Sequence, residues 1–240
     1  MRIHQNAVFL SGLLKDAQAG SLVPAAFQRP YVWTQADVLA LCNSVLKSFP
    51  LGGFLTWSPS RGIDLGKVAR GRLGPVEPDA AGIDRLLLDG QNRLATLAWM
   101  SREEGTPLPD NLSEAERATW GNGQVLAIDL ASRKFSFVAE AEAGDGFMLP
   151  ARCAFGGAGV NSILRARWNT SWAKLPEEDK NSAMNWLDRD VMDRFRGARV
   201  VETFLENATV DEAKEAFLHI CKVGVPMSDK DFAAATAWAL

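Results

Sequence analysis

One short segment, RLLLDGQNRLATL at 85–97, restricts the fold more than any other part of the chain. Residues 85–88, one arginine followed by three leucines, form a short, mainly apolar run that is typical of a buried strand. From residue 94 onward the apolar positions recur with the spacing of a helix. The intervening Asp89–Gly90 pair is typical of a tight turn. The sequence therefore predicts a strand, a turn and a helix in direct succession.

The predicted turn has the chemistry of a phosphate site. A strand that ends in a glycine turn and leads into a helix directs free backbone N–H groups to one place, where the helix dipole adds positive potential. Gly90 permits close approach to the backbone, and Arg93 is suited to a bidentate contact with phosphate oxygens. Asp89 would repel phosphate, so it is interpreted as a ligand of Mg²⁺ or as a group that orients water. From this stretch alone, an ordinary Asp N-cap followed by a surface arginine is an equally good interpretation.

A second candidate segment, FQRPYVW at 27–33, lies just before a helix that Thr34 opens with a capping-box-like pattern. Arg29 is interpreted as a second phosphate contact, and Gln28 as a residue that positions a base or a water molecule. The alternative is an extended segment whose aromatic residues pack on the core. Taken alone, the segment favours this alternative.

The rest of the chain alternates short strands with helices, which predicts an α+β fold. Further strands are expected at 53–57, 124–130, 134–138 and 200–205. Helices are expected at 9–17, 34–49, 160–196, 209–223 and 228–238. The segment 59–83 is rich in Gly, Pro and charge, which is typical of a loop or an insertion.

Composition limits the classes of function. A formal net charge of -3 does not favour nucleic-acid binding through overall charge, although a local basic patch would allow it. Three cysteines without a CxxC pair argue against a disulfide scaffold or a zinc knuckle. A GxxxxGK[ST] motif is absent, which excludes an ordinary Walker-type ATPase. No stretch approaches the roughly 20 apolar residues of a membrane span, so we expect a cytoplasmic protein with no membrane partner.

Read in order, the segments FQRPYVW, FPLGGFLTW and LLLDGQNRLATL resemble the N-terminal domain of GmrS-type restriction endonucleases. That family has a QRxYxW segment, a helix ending in FPxG, a strand, and a DGQQR turn that leads into a helix. The later segment AFLHICKVGVPMSDKDF is similar to a further family motif, so the resemblance extends over about residues 8–235. Asn92 stands where the family usually has Gln, and Cys221 stands where it usually has Asn.

The resemblance implies a ParB/sulfiredoxin-like small mixed sheet with extensive helical additions. It implies one domain over 1–240, with the ParB-like core at about 20–100 and the additions at about 110–240. The implied activity is that of a Mg²⁺-dependent nucleoside triphosphatase coupled to restriction of modified phage DNA. His4 and His219 are the only histidines and lie far apart in sequence, so we expect the nuclease to be supplied by a partner polypeptide.

The resemblance, together with the chemistry of the two segments, also assigns the site. The residues expected to bind nucleotide phosphates are Arg29, Gly90, Asn92 and Arg93. The residues expected to act in catalysis are Asp89, Gln91 and Gln28, with Mg²⁺ on Asp89. The main alternative is a DNA-binding or protein-interaction module of the same kind of system without nucleotide turnover. A third alternative is an inactive or truncated family member.

Overall fold

The computed structural model describes residues 1–77, 82–103, 105–144 and 146–222. Strands and helices alternate along these ranges. In chain order they are β1 (Arg2–Phe9), α1 (Leu10–Ala19), β2 (Leu22–Pro24), α2 (Gln35–Leu46), β3 (Gly53–Pro59), α3 (Leu65–Val68), β4 (Arg85–Asp89), α4 (Gln91–Met100), α5 (Glu114–Trp120), β5 (Gln124–Asp129), β6 (Lys134–Ala139), β7 (Met148–Pro150), a 3₁₀ helix (Ala151–Phe155), α6 (Ala158–Asn169), α7 (Glu177–Trp186), a π-helix (Leu187–Met192), α8 (Asp193–Gly197), β8 (Arg199–Ala208) and α9 (Val210–Lys222).

Two sheets organise the described residues. The larger sheet has the strand order β1-β8-β3-β4-β2, and the smaller one has the order β6-β5-β7. The larger sheet is mixed, because β4 runs antiparallel to β3 and parallel to β2. This architecture confirms the predicted α+β class, whereas the ParB/sulfiredoxin-like detail and the single-domain assignment stay predictions.

Strand β4 lies inside the larger sheet and is buried on both faces. Leu86, Leu87 and Leu88 are each fully buried. Leu87 packs into the main core with the helices, while Leu86 and Leu88 face a second apolar cluster on the other side of the sheet. A strand that is covered on both faces has no need of polar alternation, which explains the continuous apolar run in the sequence. The same burial fixes the position of the turn that follows β4.

Helix α2 begins as predicted. Thr34 accepts a hydrogen bond from the backbone of Asp37, whose carboxylate in turn accepts one from the Thr34 backbone, which completes a capping box. The helix ends at Leu46, three residues earlier than predicted. The chain turns there because Ser48 adopts a left-handed conformation with φ 54°, ahead of Pro50.

Two parts of the fold differ from the sequence prediction. The sequence does not predict strand β1, because almost all of its residues are exposed and give no apolar period. This strand pairs antiparallel with β8 along its whole length. The predicted continuous helix over 160–196 is wrong, since α6 ends at Asn169 and α7 starts only after Pro176. The predicted last helix, 228–238, lies outside the described residues.

The described part of the segment 59–83 is fastened to the sheet. It contains α3, and the chain after α3 runs beside the edge strand β2. The Ala26 N–H donates to the Val68 carbonyl and the Arg70 N–H donates to the Pro24 carbonyl, both at 2.7 Å. Residues 69–76 are thereby held against the core next to α4.

Candidate functional site

The turn after β4 leaves the start of α4 uncapped. Gly90 is the N-cap residue, and no side chain of the described residues caps this end. The first intrahelical bond is from Leu94 N to Gly90 O, at 2.9 Å. The N–H groups of Gln91, Asn92 and Arg93 therefore have no acceptor within the helix. The interpretation of Asp89 as an ordinary N-cap is wrong, because the cap position belongs to Gly90.

Only glycine fits at the cap position. Gly90 has φ 94°, which is in the left-handed region that side chains disfavour. A Cβ atom at this position would also collide with the Phe54 ring, with Cε1 2.8 Å away and Cδ1 closer still. Phe54 comes from β3, so the neighbouring strand determines how closely the backbone of the turn packs.

Arg93 is held in place by three groups before any ligand binds. Its Nη2 lies 3.2 Å from Asp89 Oδ2, and its Nη1 donates to the Leu51 carbonyl. Its guanidinium lies 4.9 Å from the centre of the Phe54 ring. A guanidinium has five N–H donors, and these two hydrogen bonds engage one on each terminal nitrogen. Arg93 is therefore a positioned cation with donors left for an anion, not the surface arginine of the alternative interpretation.

Gly52 makes room for that guanidinium. It has φ 77°, and a Cβ atom on it would meet Arg93 Nη1 directly, with Cζ at 3.3 Å. The Leu51 carbonyl and Phe54 complete this environment. These residues were not among the predicted site residues, although the FPLGG motif contains a signal, a glycine pair directly before a strand.

The segment 27–33 is tied to the same turn. Gln28 is buried, and its Nε2 donates to the Leu88 carbonyl at the end of β4. Asn92 Oδ1 accepts a hydrogen bond from Val32 N at 3.3 Å. The shorter amide at position 92 thus fastens the turn to the 27–33 segment. Cys221, the other departure from the family pattern, lies in α9, and its side chain is outside the described part of the chain.

The two segments enclose one small cavity of about 160 Å³. All seven residues that the sequence analysis selected for the site line it, together with Trp33. They are Gln28, Arg29, Asp89, Gly90, Gln91, Asn92 and Arg93. The structure thus brings the predicted residues together, while their roles stay predictions.

The cavity favours an anion. Arg29 and Arg93 contribute two positive charges against the single negative charge of Asp89, and the N-terminus of α4 adds positive potential. Arg29 is exposed, whereas the Arg93 side chain is only 19% exposed. The two cations therefore differ, since Arg93 is held by protein contacts and Arg29 is exposed to solvent.

A metal at this site would need ligands beyond the protein. Among the described residues, no group of three or more His, Cys, Asp and Glu side chains is arranged to hold a metal ion. The Asp89 side chain is 41% exposed, with Oδ2 directed to Arg93. Mg²⁺ is commonly bound by one or two carboxylates together with substrate phosphates and water. Asp89 fits that role only when a phosphate ligand supplies the other oxygens.

The sequence matches the family described as the N-terminal domain of the GmrSD restriction endonuclease, over residues 10–237. A search of curated proteins found no match. Within the described ranges, no helix has the length and apolarity that crossing a membrane requires.

Proposed function

Because this chain belongs to the family of the GmrSD restriction endonuclease N-terminal domain, a restriction-system domain, we propose that it binds a nucleoside triphosphate and hydrolyses it. The observation that carries the proposal is the turn 89–93. Its uncapped helix start and the two arginines, Arg29 and Arg93, line one cavity.

The geometry of the turn supports phosphate binding. The N–H groups of Gln91, Asn92 and Arg93 have no partner within the helix, so an anion satisfies donors that otherwise rely on water. Arg93 adds a fixed guanidinium, and Arg29 adds a cation that closes over the bound group. Hydrogen bonds between ionised groups of this kind are about twice as strong as neutral ones.

Hydrolysis would depend mainly on electrostatic stabilisation of the developing charge. Arg93 and the helix N-terminus are positioned for this before the substrate arrives, which avoids reorganisation during the reaction. Gln28 uses its Nε2 for Leu88, so its amide oxygen remains to orient water, and Gln91 is the second candidate for that task. Asp89 would hold Mg²⁺, which when bound neutralises charge on the phosphate oxygens.

In this proposal DNA cleavage belongs to a nuclease on another polypeptide. A His-Asn-His nuclease needs two histidines at one metal, and the chain has two in total. His4 lies in β1 and contacts Glu206 at 3.2 Å, and neither histidine lines the cavity. The domain would then couple nucleotide turnover to cleavage of modified DNA by its partner.

A second candidate function is binding of a DNA backbone phosphate at the same turn without turnover. The small volume of the cavity favours it, because about 160 Å³ holds a phosphate group but lies below the about 300–1,000 Å³ of typical small-molecule sites. The two functions respond differently to solution conditions. DNA affinity falls steeply with salt, whereas nucleotide hydrolysis depends on the divalent ion.

The test is phosphate release from each of the four nucleoside triphosphates, with and without Mg²⁺. The variants are Arg93→Lys, which keeps the charge but loses the planar fork, and Arg93→Ala. Arg165→Ala, at an exposed position of α6 away from the cavity, is the control. We expect Mg²⁺-dependent release in the parent and the control, and loss in both Arg93 variants. No release with any nucleotide, combined with salt-sensitive DNA binding, would establish the second function instead.

A further inference from the structure

A second, larger cavity adjoins the turn. Its volume is about 710 Å³, against about 160 Å³ for the first. Gln91 lines both cavities, so the two lie on either side of this residue. The remaining wall of the larger cavity includes Tyr31, Arg70, Arg72 and Gly74, the last three from the segment after α3.

Two residues that line this cavity each have a buried polar atom without a hydrogen-bond partner among the described residues. Gln91 is 7% exposed, and its Oε1 accepts no hydrogen bond within the described part of the chain. Arg72 Nη1 is buried and likewise makes no hydrogen bond there. A buried unsatisfied polar group costs about 1–3 kcal/mol, so such groups in a native structure indicate a missing partner. Arg72 Nη1 therefore needs an acceptor, and Gln91 Oε1 needs a donor.

The Arg72 side chain is held by hydrogen bonds to two residues. Its Nη2 donates to Glu116 Oε2 at 3.0 Å and to the Asn111 carbonyl at 3.1 Å. Glu116 is 3% exposed and is fixed in turn by the Ser113 backbone at 2.8 Å. These bonds orient the guanidinium and leave Nη1 as its unused end. A ligand at Nη1 therefore meets a donor whose position is already set.

The loop that carries Arg72 is packed closely against α4. Gly74 has φ 57°, and a Cβ atom on it would lie 2.8 Å from the Cβ of Ala95. Leu73 and Val76 exchange backbone hydrogen bonds at 3.1 and 3.2 Å, which closes the turn around Gly74. This packing holds the loop that carries Arg72 against the helix that Gln91 begins.

The charged residues that line the larger cavity do not favour an anionic ligand. Arg70 and Arg72 are balanced by Glu77 and Glu116, all four of which line it. A neutral ligand with polar edges suits such a wall better than a phosphate group does. The volume of about 710 Å³ lies within the range of small-molecule sites, whereas the first cavity is too small for a whole nucleotide.

We propose that the larger cavity binds the nucleoside half of the triphosphate, whose phosphates lie at the turn. The nucleobase presents an acceptor to Arg72 Nη1 and a donor to Gln91 Oε1. This inference rests on the proposed nucleotide binding. With Gln91 Oε1 on the base, the orientation of water is left to Gln28. Every nucleobase has an acceptor next to a donor on its Watson–Crick edge. Arg72 Nη1 and Gln91 Oε1 would therefore recognise nucleobases as a class.

The experiment compares binding of inorganic tripolyphosphate with binding of β,γ-imido nucleoside triphosphates by calorimetry. Gly71→Leu is the first variant, because Gly71 lines the larger cavity and a Cβ atom there meets nothing within 4 Å. We expect the leucine side chain to obstruct part of the cavity while the Arg72–Glu116 pair stays in place. Arg72→Lys is the second, and Arg117→Lys, at an exposed position of the same helix as Glu116, is its control.

We expect the parent to bind the imido nucleotides at least tenfold more tightly than tripolyphosphate. Gly71→Leu and Arg72→Lys should remove most of that difference and leave tripolyphosphate affinity unchanged. Equal affinities in the parent, or variants that keep the full difference, would overturn the nucleoside site while the phosphate site stands. A parent that binds neither ligand would overturn the proposed function and this inference together.

Discussion

Replacement of Gly90 by alanine tests how the turn is built. Two effects oppose the substitution, the left-handed φ of 94° and the collision with the Phe54 ring. The first costs about 1–2 kcal/mol and the second, as overpacking, about 1–3 kcal/mol. We therefore expect Gly90→Ala to lower the free energy of unfolding by about 2–5 kcal/mol, measured by urea denaturation.

Gly62→Ala is the matched control for this prediction. Gly62 has φ 91°, almost the same as Gly90, but a Cβ atom there meets nothing within 4 Å. Gly62→Ala should lower the free energy of unfolding only by the cost of the left-handed backbone conformation, about 1–2 kcal/mol. The difference between the two variants isolates the contact with Phe54.

A double-mutant cycle then tests the cause directly. Phe54→Val removes the ring atoms that the new Cβ meets, so Gly90→Ala should be less harmful in that background, with a coupling of about 1 kcal/mol or more. Equal losses for Gly90→Ala and Gly62→Ala, or strict additivity in the cycle, would refute the steric argument. Tripolyphosphate affinity of Gly90→Ala should fall about tenfold if one backbone N–H contact is displaced.

Three other predictions concern the surroundings of the site. Burial raises the pKa of Tyr31, the only tyrosine in the chain, to about 12, so the ultraviolet signal of its phenolate should be missing at pH 10 to 11 in the folded protein. In the unfolded chain the same phenol deprotonates near pH 10. The free energy of unfolding should therefore fall as the pH rises from about 10 to 12. Thr34→Ala should cost about 1 kcal/mol in urea denaturation, because it removes the cap of α2, and an unchanged midpoint would contradict this role. Glu202 is buried and accepts hydrogen bonds from Thr56 and Arg85, both at 2.7 Å, so Glu202→Gln should lower the free energy of unfolding by about 1.5–3 kcal/mol. Asp193→Asn removes an exposed ion pair and should lower it by less than about 1 kcal/mol.

Local patterns predicted most of the elements around the site. The apolar run before Asp89, the glycine after it and the helical spacing from Leu94 give β4, the turn and α4 without reference to the rest of the chain. The capping pair Thr34 and Asp37 places the start of α2 in the same way. These elements are decided by interactions within a few residues, which a sequence displays directly.

Strand β1 could not be predicted for the opposite reason. β1 exists because β8 supplies its hydrogen-bond partners from the far end of the chain, and its exposed residues leave no apolar pattern. The register of such a pairing depends on tertiary packing.

The candidate site shows the same division. The sequence by itself selected the residues that line the small cavity and predicted a glycine turn before α4, because backbone conformation at a turn is a local property. Only the tertiary structure decided that Gln28 reaches the Leu88 carbonyl and that Arg93 is held by Leu51, across 60 and 42 residues respectively. That Arg72 and Gln91 line the same cavity was likewise not evident in the sequence, since it results from a loop packed against α4. Contacts between distant segments depend on how the core closes around both, and residue spacing along the chain does not encode that distance.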